Sequence, residues 1–333
     1  MKVLFIGNAF GNSYLQLLTL KKLYKNVDKI DPANGFARNK IFSFLFYKLT
    51  PKLFEPIINR YVISKIKKKD YDLIYIKSGE FIGKKLILIL KERAKKVVFF
   101  CNDNPFVERD YKRWNLFLKA SKFYDLIAFQ DYSRIKLAKK RKLKNITLVT
   151  PPYDKKFHKK TVSKNKKHDV VFVGTWSKNK GKIIYSLIKL GLNIKIFGTS
   201  WNKDKNFNLM KNFVKLGHLN QKKYTKIISE SKIGLALYSE ENHDSITARS
   251  IEIPAIGTFL LSKKTNAIKK IFKENKEAVY FNTPKECFIK SNYYIKNYKK
   301  REAIANNAYQ KVRKYLKVSN EDLIKKIIRT AFL

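Results

Sequence analysis

Cysteine, methionine, tryptophan, proline and glycine are all scarce in this chain, whose 333 residues include 2 Cys, 2 Met, 3 Trp, 8 Pro and 12 Gly. Cys101 and Cys287 stand far apart, and neither has metal-ligand spacing around it. That excludes a disulfide framework and a cysteine-based zinc site, and it predicts a reducing compartment. Acid is the second deficit: 26 Asp and Glu face 73 Lys and Arg, for a formal charge of +47. Long hydrophobic runs are missing too, since the longest, Ile41–Tyr47, is about a third of a membrane span. The opening MKVLFIG reads as a buried strand and not as a leader, because its apolar run is too short and no small-residue cleavage site follows. A cytoplasmic protein is expected, with peripheral contact to an anionic membrane as its furthest excursion.

What is present belongs to a folded protein. Apolar residues make up 44% and aromatics 14%, which excludes a disordered basic tail. Single cores stop growing at roughly 250–300 residues, so two domains of about 150–180 residues are expected. Only eleven of the basic residues are arginine, while Asn, Ile, Phe and Tyr, which share AT-rich codons with lysine, are plentiful. A reader of phosphates or bases would use more Arg, whose planar fork makes bidentate contacts. Much of the charge is therefore composition displayed on solvated faces. Its field still attracts anionic partners such as nucleotides, lipids and acidic glycans.

Short apolar runs alternate with longer helical patterns, which predicts an α/β protein with parallel sheets and crossover helices. The first half offers strands at Lys2–Ile6, Asp72–Ile76, Lys96–Phe100, Leu126–Phe129 and Ile146–Val149. After the lysine-rich segment Thr150–His168 the alternation restarts, at Asp169–Val173, Asn193–Phe197, Ile233–Leu237, Thr258–Leu261 and Glu277–Tyr280. A helical tail follows from Pro284. The expectation is two doubly wound Rossmann-like domains facing a cleft: residues 1–150, a linker at 151–168, a second domain at 169–318, and a C-terminal helix at 319–333 packing back on the first. Such sheets bind ligands beyond their carboxyl ends.

Three segments carry candidate chemistry. Gly7 and Gly11 sit in the turn after the first strand, where glycine lets backbone approach a ligand. Gly174 and Trp176 follow the strand Asp169–Val173, with Lys178, Lys180 and Lys182 near a helix start, a setting suited to a diphosphate. Asp244–Leu261 is the most informative. It places Asp244, Thr247, Arg249 and Glu252 ahead of Gly257 and reads as an acidic helix in a basic protein, with Arg249 able to approach Glu252 at i+3; a plain surface pair would explain those two residues but not the block.

That last segment resembles the C-terminal pattern of the CgeB-like spore-protein glycosyltransferases, roughly D-x4-R-x2-E-x4-G, relatives of the group 1 transferases with a GT-B fold. TPPYDKKFH (150–158), DVVFVGTW (169–176), FGTSW (197–201), SKIGLALYSE (231–240) and NNAYQKV (306–312) are similar to further stretches of that family in the same order. IYIKSGEF (74–81) and FFCNDNPF (99–106) resemble its less specific motifs. The resemblance implies a nucleotide-sugar donor held mostly by the second domain. Glu252 takes the place of the second acid of a Glu-x7-Glu element, which contacts the donor ribose. Asp244 stands where a Glu is usual for the first, and Lys178–Lys182 fall where the family places an arginine-containing basic pair.

Loss of a nucleotide diphosphate builds negative charge that cations and helix N-termini absorb, so the expected mechanism needs no metal and no cofactor. No convincing DxD is present; Asn102-Asp103-Asn104 comes nearest. If the reaction inverts, a base must take the acceptor proton. Glu80 and Asp103, at successive strand ends, are the candidates, though both could instead cap helices. His243, beside Asp244, reads as a loop residue or a phosphate contact. The stretch Arg38–Lys69 is apolar with a basic flank, cut by Pro51 and Pro56, and reads either as core helices or as a membrane-surface or acceptor-side element. Acceptors of glycan, lipid or protein type remain open. The competing readings are a basic nucleic-acid-binding protein, against which no recognised binding motif appears, and an inactive GT-B-fold binding module.

Overall fold

A computed structural model of the chain describes residues 1–8, 10–34, 41, 44–46, 51–66, 70–110, 112–161 and 166–333. The chain divides into two compact units, Met1–Thr150 with Asn320–Leu333, and Pro151–Ser319. Among the described residues each unit holds one six-stranded sheet, and every pairing is parallel.

In unit 1 the strands are β1 (Lys2–Ile6), β2 (Asn26–Ile30), β3 (Tyr71–Ile76), β4 (Ala94–Cys101), β5 (Leu126–Phe129) and β6 (Ile146–Leu148), in spatial order β2-β1-β3-β4-β5-β6. The central strands are continuous apolar runs because helices cover both faces. One face packs Ile74, Ile76, Phe99 and Ile127 chiefly against α2 (Glu55–Ile66) and α3 (Lys84–Glu92). The other face, with Phe5, Tyr75, Val98 and Phe100, meets α1 (Gly11–Leu23) and the final helix. Between α3 and that final helix the unit also contains α4 (Asn115–Ala120) and α5 (Tyr132–Lys140).

Unit 2 contains β7 (His168–Val173), β8 (Ile194–Gly198), β9 (Val214–Leu216), β10 (Ser231–Ala236), β11 (Phe259–Lys263) and β12 (Val279–Phe281), ordered β12-β11-β10-β7-β8-β9. Its helices of six or more residues are α6 (Lys178–Lys189), α7 (Gln221–Ser229), α8 (Arg249–Ile256), α9 (Asn266–Ile271), α10 (Pro284–Lys296) and α11 (Tyr298–Gln310). Tyr153, Asp154 and His158 are buried within this unit, and Tyr153 bridges to Ser319. The expected helical tail is broken: α11 runs into a π-helical turn at Lys311–Tyr315, and α12 (Asn320–Phe332) then returns to unit 1. There it buries Leu323, Ile324, Ile327, Ile328 and Ala331 against the sheet.

Two edge strands, β2 and β9, were not among those expected from the sequence. Both are short and largely accessible, with lysine or acid inside them, so they lack the apolar run that marked the buried strands. In Arg38–Lys69, α2 turns Ile58, Val62 and Ile66 into the core, while Leu53, Ile57 and Ile63 stay exposed. Phe42, Leu49 and Lys67–Lys69 lie outside the described residues. Both cysteines are free and buried. Among the described residues no helix is long and apolar enough to cross a membrane.

Candidate functional site

Strand order fixes where ligands can enter. In each unit the chain lays strands outward from one central strand and then returns to build the other side. The two connections leaving the switch point diverge there and open a crevice beyond the carboxyl ends. In unit 2 that point lies between β7 and β10. The connections leaving these strands carry every donor-side residue singled out in the sequence: Gly174, Trp176, Lys178, Lys180 and Lys182 after β7, and Asp244, Thr247, Arg249 and Glu252 after β10.

Arg249 ties the two connections together. Its Nε donates to the Val173 carbonyl at 3.1 Å, its guanidinium stacks 4.3 Å from the Tyr224 ring centroid, and it pairs with Glu252. This is not a plain surface pair, because Glu252 is only 2% exposed. Burial opposes ionisation of Glu252, yet the Arg249 guanidinium keeps its carboxyl below the usual range. His158 accepts the Asp154 N–H on Nδ1 at 3.0 Å and faces Gln221 Oε1 at 3.1 Å with Nε2, which fixes the proton on Nε2.

Asp244 is not on the helix that the sequence suggested. It lies in the loop before α8, its N–H donating to Ser239 O at 2.9 Å and its Oδ1 accepting from Asn242 Nδ2 at 2.6 Å. The 237–248 connection is a turn stabilised by its own side chains, so only Glu252 occupies the helix. At the entrance to α8, Thr247 Oγ1 is buried with no hydrogen-bond partner among the described residues. Such an orphan in a native site calls for a ligand or water.

On the β7 side, the lysines divide. Lys178 and Lys182 are exposed one turn apart on α6, while Lys180 Nζ folds back to the Thr175 carbonyl at 3.2 Å. Trp176 Nε1 donates to Asp204 Oδ2 at 2.8 Å, which anchors the connection from below. The Lys178 N–H donates to Glu241 Oε1 at 3.2 Å across the crevice.

Unit 1 has its switch point between β1 and β3. A cavity of about 190 Å³ opens there, lined by Asn8, Asn12 and Ser13 after β1, Lys77 and Glu80 after β3, and Asn102 and Asp103 after β4. Gly7 is packed against two of these lining residues: a Cβ there would come within 2.9 Å of both Lys77 Cβ and Ser13 Oγ. Gly11 starts α1 at φ +55, the left-handed region that favours glycine. Asn8 Oδ1 is buried with no hydrogen-bond partner among the described residues.

Glu80 and Asp103 do reach this cavity, but they share an arginine. Arg113 Nη2 donates to Glu80 Oε1 at 2.6 Å, and its Nη1 lies 3.6 Å from Asp103 Oδ2. Arg109 bonds Asp103 at 3.3 Å. Burial works against the Asp103 anion, but the two arginines hold its carboxyl below its ordinary range, which weakens it as a proton acceptor. Lys77 was missed by the sequence reading. Its Nζ donates to Phe100 O at 3.0 Å and Asn102 Oδ1 at 2.8 Å, and desolvation lowers its pKa to about 7 against the pull of Cys101, Asp103 and Glu80. The available signal was a lysine directly after an apolar strand. Arg113 gave none, because its partners come from other strands. Among the described residues no group of three or more His, Cys, Asp or Glu is arranged to hold a metal ion.

Residues 179–321 match the family model described as glycosyl transferase-like. Solved structures match over nearly the whole chain. HepE of Anabaena, in complex with UDP-glucose, aligns with TM-score 0.68 at 13% identity, covering 99% of both chains. Sucrose-phosphate synthase from Thermosynechococcus elongatus gives 0.72 at 12% identity, over 100% of this chain and 99% of that one. The fold is that of the GT-B glycosyltransferases. A UDP-forming trehalose-phosphate synthase from Burkholderia xenovorans shares it, with TM-score 0.65 at 10% identity over 100% and 99% of the two chains. No curated protein matches the chain in sequence.

Proposed function

We propose that this protein is a glycosyltransferase of the CgeB-like type that moves a hexosyl group from a nucleotide-sugar donor held by unit 2. The observation that carries the reading is the convergence of all the donor-side residues on one switch-point crevice, with Lys180, Lys182, Asp244, Thr247, Arg249 and Glu252 inside the segment that matches the glycosyl transferase-like model. Arg249 is the member of its pair that meets the nucleotide, since its side chain is 32% exposed against 3% for Glu252. Glu252 acts through it as a positioning residue. Thr247 Oγ1 supplies an unspent hydrogen-bonding atom beside them. Lys178 and Lys182 offer charge for the leaving diphosphate without a metal ion.

The acceptor side of this reading falls to the unit 1 cavity, whose amides and hydroxyls suit sugar hydroxyls, with Asn8 Oδ1 as an open acceptor. Glu80 and Asp103 there position Arg113 and do not take the acceptor proton. The experiment is a thermal-shift panel of nucleoside diphosphates followed by a test of nucleotide release from UDP-sugars. Stabilisation by one nucleotide, lost in Arg249→Met and weakened in Glu252→Gln, and turnover that survives a chelator, are the expected results. Binding of DNA without any nucleotide effect would replace this reading with the nucleic-acid one. Nucleotide binding without turnover would leave a binding module.

A further inference from the structure

The outer face of α2 and of the 3-10 turn Pro51–Phe54 before it is apolar where a solvated helix would be polar. Leu53 is 71% exposed and Ile57 55%, and at helical spacing they align with Arg60 and Ser64 in a single outward row. Ile63 flanks this row at 39% exposure. The same helix buries Ile58, Val62 and Ile66 completely or nearly so on its opposite side, which fixes its rotation in the fold. The exposed apolar residues therefore cannot turn inward. Just upstream in sequence, Ile41 and Phe44 are also exposed, at 71% and 59%.

Charge identifies what such a face would meet. Lys52, Arg60 and Lys65 are all exposed around the apolar row. Glu55 is the only carboxylate in residues 51–66, and it is turned to the Gly83 turn, where the glycine leaves room for it at the start of α3. Apolar side chains rimmed by cations, with the one anion withdrawn, match the boundary between headgroups and acyl chains of an anionic bilayer. A second copy of this chain carries the same +47 charge and would place the three cations of one face against those of the other.

We propose that the outer face of α2 docks this protein on an anionic lipid surface, with Leu53 and Ile57 entering the interface and Lys52, Arg60 and Lys65 meeting headgroup phosphates. This rests on unit 1 alone and holds whether or not the chain transfers sugar. The helix lies along the surface and does not span it.

The test is co-sedimentation with large vesicles of phosphatidylcholine, with and without phosphatidylglycerol, at moderate salt. The intact chain should partition onto the phosphatidylglycerol vesicles at least tenfold more strongly than onto pure phosphatidylcholine. The double variant L53S/I57S should lose at least tenfold, and R60E/K65E should lose as much. Both changes sit on exposed positions, and an unchanged melting temperature verifies folding. A matched charge change in unit 2, K203E/K205E, controls for total charge and should keep binding within about twofold. Unchanged binding by L53S/I57S overturns the proposal, as does an equal loss in the unit 2 control, which would assign the attraction to overall charge. A dimer in light scattering that L53S/I57S dissolves also overturns it, in favour of a second copy on this face.

Discussion

Replacing Arg249 by methionine isolates the energetics of the unit 2 site. The change keeps much of the side-chain volume and removes the charge that pairs with Glu252. Glu252 is then an anion with 3% of its side chain exposed and no cation beside it. Removing one partner of a buried pair typically costs 3–5 kcal/mol. Arg249 is partly in water, so the low end, about 3 kcal/mol, applies, and loss of the bond to Val173 O adds about 1 kcal/mol. For a unit of this size each kcal/mol lowers the midpoint by about 2–4 °C, so thermal unfolding at pH 7.5 should fall by about 8–16 °C.

The pH dependence separates this account from simple loss of packing. In the native protein the Glu252 carboxyl is held below its ordinary range, so its contribution is present above the unfolded carboxylate pKa and is lost as pH falls through the lowered folded value. In Arg249→Met the same carboxyl is buried without its cation, and its pKa rises above ordinary. It then takes up a proton on acidification and sheds its penalty. The deficit relative to the native protein should therefore shrink from pH 7.5 to pH 5. A deficit below about 1 kcal/mol, or one that stays flat over that range, refutes the reasoning.

Other consequences are open to direct measurement. Gly7→Ala inserts a Cβ within 2.9 Å of Lys77 and Ser13, and urea unfolding should show unit 1 weakened by about 1–3 kcal/mol; a neutral effect would mean these neighbours can yield. Lys77, followed by NMR of its dimethylated amine, should titrate near pH 7, and a midpoint near that of a free lysine would contradict the desolvation described for it. Deleting residues 320–333 strips Leu323, Ile324, Ile327 and Ile328 from the sheet, at roughly 1.5–3 kcal/mol for each buried side chain. Unit 1 should then lose its cooperative unfolding transition while unit 2 keeps its own.

The sequence was most informative where burial is complete. Strands such as VLFI in β1 and VVFFC in β4 are apolar on both faces, so their runs were visible without any contact being known. The edge strands β2 and β9 were not, because pairing on one side alone demands little of their side chains. The segment Asp244–Leu261 was legible as a motif, yet the reading carried the helix back to Asp244, since loop-stabilising bonds such as Asn242 to Asp244 leave no periodic trace. Lys77 and Arg113 were hidden for a different reason. Their chemistry comes from neighbours 23 to 33 residues away in the chain, at Phe100, Asn102 and Glu80, and only strand order brings those together.

The return of α12 to unit 1 has a consequence for how the protein is made. A ribosome delivers the chain at roughly 5–20 residues per second, and the six strands of unit 1 all emerge before any of unit 2. One face of their sheet, with Phe5, Val98 and Phe100, must wait for Leu323 and Ile327 to cover it. The first unit to be synthesised is thus the last to be completed. For the time taken to translate the whole of unit 2, nascent unit 1 presents a sticky, half-roofed sheet of the kind that chaperones hold.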